Sequence, residues 1–172
     1  LNNYAMALRD MGRYADAAPH LERSFKLHAE VRGEKHHMTL IALHNHALSV
    51  DALGRSREAL PLFERSLRLR TEALGERHPD TFRAMSAYAT ALKKVGRAIE
   101  ALSHHERSFK LQSEMFGEKH PEVLSALSNY ASTLYSLGRS ADALPHFERV
   151  LRLRGEVLGE RPAELGFDHP AP

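Results

Sequence analysis

Gly33-Glu34-Lys35-His36-His37, Gly75-Glu76-Arg77-His78-Pro79, Gly117-Glu118-Lys119-His120-Pro121 and Gly159-Glu160-Arg161-Pro162-Ala163 are four copies of one stretch, each 42 residues after the last, in a chain of 172. A second ladder keeps the same step: Gly12-Arg13, Gly54-Arg55, Gly96-Arg97 and Gly138-Arg139. A fixed period of this length marks an array of one supersecondary unit, in which each unit contacts only its neighbours. The predicted units are 1–36, 37–78, 79–120 and 121–161, followed by a tail at 162–172. The chain opens on Leu1 in mid-repeat, which predicts that the first unit is truncated and that residues precede it.

Outward from the joints, the apolar residues follow helical spacing. Before Gly96 they are Met85, Tyr88, Ala89, Leu92 and Val95, and before Gly138 they are Leu127, Tyr130, Ala131, Leu134 and Leu137. The steps i, i+3, i+4, i+7 and i+10 describe one stripe of an amphipathic helix, here helix A. Leu1, Tyr4, Ala5, Leu8 and Met11 repeat the stripe, as do Leu43, His46, Ala47, Val50 and Leu53. The second half of each unit predicts a helix B, with Ala17, Ala59, Ala101 and Ala143 at one shared position and Leu21, Phe63, His105 and Phe147 four residues on.

The joint reads as stop, turn and start. Glycine suits the residue past a helix C-terminus, where a left-handed backbone is needed. Pro79 and Pro121 suit the first position of the next helix, with Asp80 and Glu122 beside the positive end of its dipole. Pro19, Pro61 and Pro145 fall early in helices B and predict a late start or a loosened first turn there. Gly155 costs about 1 kcal/mol against alanine inside a helix, so the last helix B is expected to fray. Glu22, Lys26 and Glu30 form an i, i+4, i+8 ladder repeated in every unit, a pattern expected on a solvated face.

Composition excludes several classes. The chain has no cysteine, hence no disulfide and no thiolate metal site, which fits a reducing compartment and makes the cytoplasm the expected location. No apolar run is long enough to span a membrane. The net charge of +2 and a pI near 9.0 come from a mild basic excess spread over every unit, which favours an acidic partner. Twelve histidines raise a metal hypothesis, but His44 and His46 point to different helix faces, and His20, His104 and His146 sit on separate units. Neither metal nor cofactor is expected. His46 and His105 are read instead as core histidines with a hydrogen-bond partner. Ser24, Ser66 and Ser108 repeat at one position, so packing explains them better than catalysis does, and no enzyme activity is expected.

With Met85-Tyr88-Ala89-Leu92 and Leu127-Tyr130-Ala131-Leu134 in helix A, glycine between the helices and the alanine of helix B, the sequence resembles the tetratricopeptide repeat. Its 42-residue period, the Leu1-Asn2-Asn3-Tyr4-Ala5 opening and the Gly-Glu-Lys/Arg-His-Pro joint look like the longer variety found in kinesin light chains. The resemblance covers residues 1 to about 161. His46, His105, Ala87 in the place of Asn3, Asn45 and Asn129, and the loss of His-Pro at the last joint are departures from it.

The resemblance implies an all-α superhelix of four antiparallel helix pairs, acting as a non-enzymatic scaffold that binds an extended or short helical peptide. It further implies that helix A turns polar residues toward that peptide: Asn2 and Asn3, His44 and Asn45, Ser86, and Ser128 and Asn129. Arg9, Arg83 and Lys93 would add charge for an acidic ligand. The competing reading is that the asparagines bridge neighbouring units. Two alternatives stand beside the scaffold: a sensor or oligomerisation segment of a larger signalling protein, associating through uncapped ends, and an RNA-binding solenoid. The second lacks the regular stacking side chains that base readers use. At the last joint no complete helix A follows to cover Val150, Leu151 and Leu158, so the tail is expected either to fold back through Leu165 and Phe167 or to leave a surface for something else.

Overall fold

In a computed structural model, which describes residues 2–158, helices joined by short turns are the whole secondary structure of the described residues. The helices are α1 (Asn2–Asp10), α2 (Tyr14–Arg32), α3 (His37–Ala52), α4 (Ser56–Leu74), α5 (Pro79–Lys94), α6 (Ala98–Phe116), α7 (Pro121–Ser136) and α8 (Ser140–Leu158). Odd numbers are the predicted helices A and even numbers the helices B, so the fold is the all-α, helix-pair class. Glycine sets the boundaries. Gly33 and Gly75 close α2 and α4 with φ of 87° and 85° and ψ of 160° and 163°. That is the extended positive-φ region that belongs to glycine, rather than the left-handed helical cap the joint predicts. The Gly159 joint and the tail, with Pro162, Ala163, Leu165 and Phe167, lie outside the described residues.

The chain forms two compact units, residues 1–97 and 98–172, divided inside the third repeat. In the first, α2 packs on α1 and α3, and α4 packs on α3 and α5. Ala5, Leu8, Ala17 and Leu21 make one buried cluster there, and Phe25, Leu40, Ala42, Leu43 and Leu69 a second. In the second unit, α7 packs on both α6 and α8. Ala17, Ala59, Ala101 and Ala143 are all sealed from solvent, as their shared position implies. Ser24, Ser66 and Ser108 are buried too, which fits packing.

Three expectations need correction. The helices B start directly after the Gly-Arg turn and run through Pro19, Pro61 and Pro145. The missing N–H of each proline would have met the carbonyl four residues back, on Ala15, Arg57 or Ala141. Those residues are exposed, so water takes the freed carbonyl and the helix need not loosen. The stripe also weakens at i+10, which already lies at the turn: Met11 is 70% and Leu53 36% exposed, while Val95 and Leu137 stay half-buried. And α8 continues through Gly155, which is buried, to Leu158.

The histidine of the joint is a helix cap. His36, His78 and His120 sit at the N-caps of α3, α5 and α7 in extended backbone, and their Nδ1 atoms accept from the backbone N–H of Met38, Asp80 and Glu122 at 3.2, 3.1 and 3.2 Å. Thr39 and Thr81 each donate back to the carbonyl of the preceding joint glycine at 2.8 Å. The charged residues of the joint reach across to the following helix B. Glu34 pairs with Arg65 at 2.7 Å and Lys35 with Glu72 at 3.1 Å, and 84 residues on Glu118 pairs with Arg149 at 2.5 Å and Lys119 with Glu156 at 3.0 Å. On the outer face of helices B, Glu22–Lys26 at 2.7 Å and Glu106–Lys110 at 2.6 Å realise the predicted ladder.

Candidate functional site

Within the first unit, helices A bring several of the sequence-predicted residues together. Asn2 and Arg9 are seven apart on α1, His44 and Asn45 lie at the middle of α3, and Arg83, Ser86 and Lys93 follow the i, i+3, i+10 spacing of one face of α5. Arg9 Nη1 donates to Asn45 Oδ1 at 2.9 Å, and Arg9 Nη2 to Asp10 at 3.3 Å. Asn45 is 7% exposed, so its amide already bridges two neighbouring repeats. Asn3 and Asn129 at equivalent positions are exposed, and Ser128 is half-buried. Ser128 and Asn129 belong to the second unit. Asn2 is half-buried with its Oδ1 sealed away from any partner.

Beside Asn45 lies His44, edge-on to Phe63 of α4 with ring centroids 6.0 Å apart. Its Nδ1 is buried without a hydrogen-bond partner. Burial pushes its pKa down to about 4; the positive charges of Arg70, Arg9 and Arg83 push the same way and Asp80 opposes them. His44 is therefore neutral at pH 7.

Arg70 is the residue that sequence reading missed. It is 4% exposed, donates to the Leu40 carbonyl at 3.3 Å and approaches Asp80 at 3.4 Å, with its Nε unpartnered. Asp80 also meets Arg83, one helical turn on, at 3.3 Å. One carboxylate is thus shared between a buried and an exposed guanidinium. The available signal was variation: the position reads His28, Arg70, Gln112 and Arg154 along the repeats, polar each time but never the same twice running. Arg9, Arg70 and Arg83 thus gather around neutral His44 and the Asn45 amide, and guanidinium groups beside an amide can hold an anionic group against a hydrogen-bonding face.

The two core histidines differ. His105 is 2% exposed and its Nδ1 lies 2.9 Å from Thr133 Oγ1, as expected of a core histidine. His46 is half-buried and its Nδ1 has no partner, contrary to expectation; no hydroxyl from a neighbouring helix reaches it. Among the described residues no cluster of His, Asp and Glu is gathered where a metal would sit, and no helix is long and apolar enough to cross a membrane.

Helix pairs of 16 and 19 residues with a sealed alanine and a glycine turn define a class, and the family profile described as tetratricopeptide repeat matches residues 1–72, 52–98 and 80–156. The chain belongs to the tetratricopeptide repeat family. Among solved structures it is similar to a Podosopora anserina protein described as a kinesin light chain with nearly identical TPR-like repeats, at TM-score 0.83 and 23% identity over 96% of this chain and 79% of that one. It is also similar to BtubC (BKLC) from P. vanneervenii, at TM-score 0.81 and 19% identity over 99% of this chain and 65% of the other. The third is Bacillus thuringiensis PlcR, solved with the peptide PapR7 and DNA, at TM-score 0.72 and 15% identity over 97% of this chain and 59% of PlcR. Comparison with curated proteins returned no match.

Proposed function

We propose that this chain is a non-enzymatic interaction scaffold whose first unit binds an acidic extended or short helical segment of a partner protein along α1, α3 and α5. The observation that carries this reading is the Arg9, Arg70 and Arg83 cluster around His44 and Asn45. A carboxylate of the partner would replace Asp80 or Asp10 on a guanidinium, while Asn3, Ser86 and Lys93 stand further along the same helices; Ser128 and Asn129 are the matching positions of the second unit. Support also comes from PlcR, a protein of similar fold solved with a peptide. We place the array at residues 1–161 and the protein in the cytoplasm.

Fluorescence anisotropy with an array of acidic and charge-neutral peptides tests the reading. Acidic peptides should bind, and Arg9→Glu with Arg83→Glu should weaken them by at least about tenfold, as loss of two charge-assisted contacts implies. Equal binding of neutral peptides, or no effect of the double charge reversal in a folded protein, would overturn it.

A second reading, association with copies of itself or with neighbouring domains, draws on Leu144, Leu151 and Val157 of α8, which are 57%, 50% and 54% exposed. Light scattering that rises with concentration would favour it over a monomeric scaffold.

A further inference from the structure

Ion pairs that belong to the scaffold recur along the chain. Glu34–Arg65 has its counterpart in Glu118–Arg149, Lys35–Glu72 in Lys119–Glu156, and Arg13–Asp16 in Arg139–Asp142. The trio of Arg70, Asp80 and Arg83 does not recur. At the junction before it the same three positions read His28, Met38 and Ile41, and at the junction after it Gln112, Glu122 and Ser125. Stacking one repeat on the next therefore does not require this trio.

Asp80 divides its carboxylate between two unequal guanidiniums. Its Oδ2 lies 3.4 Å from Arg70 Nη1 and its Oδ1 3.3 Å from Arg83 Nη1. Arg70 is buried and donates to the Leu40 carbonyl as well, so it is fixed and out of a partner's reach. The Arg83 side chain is 62% exposed, which makes it the arm a partner can meet. Asp80 cannot follow that arm outward. Its own backbone N–H is held by the His78 cap at 3.1 Å, and a buried guanidinium is costly to leave without its counter-charge. The face assigned to an acidic segment thus carries an acid of its own, seated on the arginine that the segment would use.

We propose that Asp80 is an internal competitor for the acidic partner: in the unliganded chain its carboxylate stands in for the partner's on Arg83, and binding is an exchange in which Arg83 turns to the partner while Asp80 stays on Arg70. This inference rests on the reading of α1, α3 and α5 as a peptide face. Exchanging one carboxylate for another of like strength returns little energy, and the charge left on Asp80 opposes the incoming one. Asp80 therefore holds down the affinity of this face for acidic segments. A neutral segment does not engage Arg83 and is indifferent to Asp80.

Fluorescence anisotropy of labelled oligoglutamate and oligoglutamine with the full chain tests the assignment. Asp80→Asn should tighten oligoglutamate roughly threefold to fivefold, the scale of one exposed ion pair, and leave oligoglutamine unchanged. Adding Arg83→Met should cancel that gain. Glu58→Gln, which removes an equal charge from the Arg55 pair on α4, outside the proposed face, should give none. In the wild type, oligoglutamate should shift the Arg83 Nε–H NMR signal and leave that of Arg70 in place, and these two signals decide the matter if Asp80→Asn loses its helical circular dichroism. A wild type that prefers oligoglutamate, with no gain in a folded Asp80→Asn, would overturn the competitor role and leave the peptide reading standing. An equal gain in Glu58→Gln, or movement of the Arg70 signal instead of the Arg83 signal, would overturn it as well. If neither the wild type nor Asp80→Asn prefers oligoglutamate, the peptide reading falls and this one with it.

Discussion

His44 shows how one buried side chain sets a pH limit on the whole unit. Its folded pKa is pushed down to about 4, whereas an unfolded histidine titrates near 6.5. As pH falls, the unfolded chain binds the proton first, so stability is intact above about pH 6.5, declines below it and stops declining near pH 4. The linkage amounts to about 3 kcal/mol in full. Urea unfolding from pH 7 to pH 4 should show the wild type losing stability relative to His44→Leu as pH falls, and a difference between the two that does not change with pH would contradict this assignment. At the same scale, Asn45→Ala should cost about 1–3 kcal/mol because it removes a buried amide and its bond to Arg9 across two repeats, while Asn129→Ala at the exposed equivalent should stay within about 0.5 kcal/mol. Melting temperatures of the two variants, read beside peptide binding, separate the bridging role of an asparagine from a contact role.

At the scale of the element, the joint is a capping device. His78 accepts the Asp80 N–H only through an unprotonated Nδ1, so His78→Ala should cost about 1 kcal/mol, and His78→Asn, a good N-cap, should recover most of it. Chemical denaturation of both variants at pH 7.5 checks this. Ala101→Leu should cost about 1–3 kcal/mol by overpacking a position that is fully sealed. Helix existence, helix boundaries and the sealed alanines were legible from the two glycine ladders and the 3.6-residue stripe, since both are local backbone and patterning signals. The prolines misled because the penalty depends on whether the freed carbonyl meets water, and that is a tertiary fact. The histidine cap was hidden because histidine is not among the usual capping residues, although its recurrence just before the first helical position at 36, 78 and 120 was visible. Arg70 was hidden because its partners, Leu40 and Asp80, lie 30 and 10 residues away on other helices.

For the molecule as a whole, the burial pattern predicts uneven stability within the first unit. α3 packs against both α2 and α4, and Leu40 and Leu43 are sealed there, while the nine-residue α1 leaves Tyr4 58% and Met11 70% exposed. Amide exchange should therefore be slowest in α3 and α4 and fastest in α1, and equal protection across all five helices would count against this packing hierarchy. Net charge is only +2, so attraction of an acidic partner depends on the local arginine patch rather than on a long-range field. Affinity should fall steeply between low and physiological salt and then flatten.

The paired ties of the joint also make the length of this protein an adjustable quantity. Because Glu34 and Lys35 hold the helix B that follows them, and Glu118 and Lys119 do the same 84 residues later, an excision or duplication of 42 residues from one capping histidine to the next rejoins equivalent partners. An excision that is not a multiple of 42 would break these ties or strand a cap. Histidine-to-histidine segments are thus the interchangeable parts of this scaffold, and the natural places to cut when shortening it, extending it or grafting its second repeat into another array.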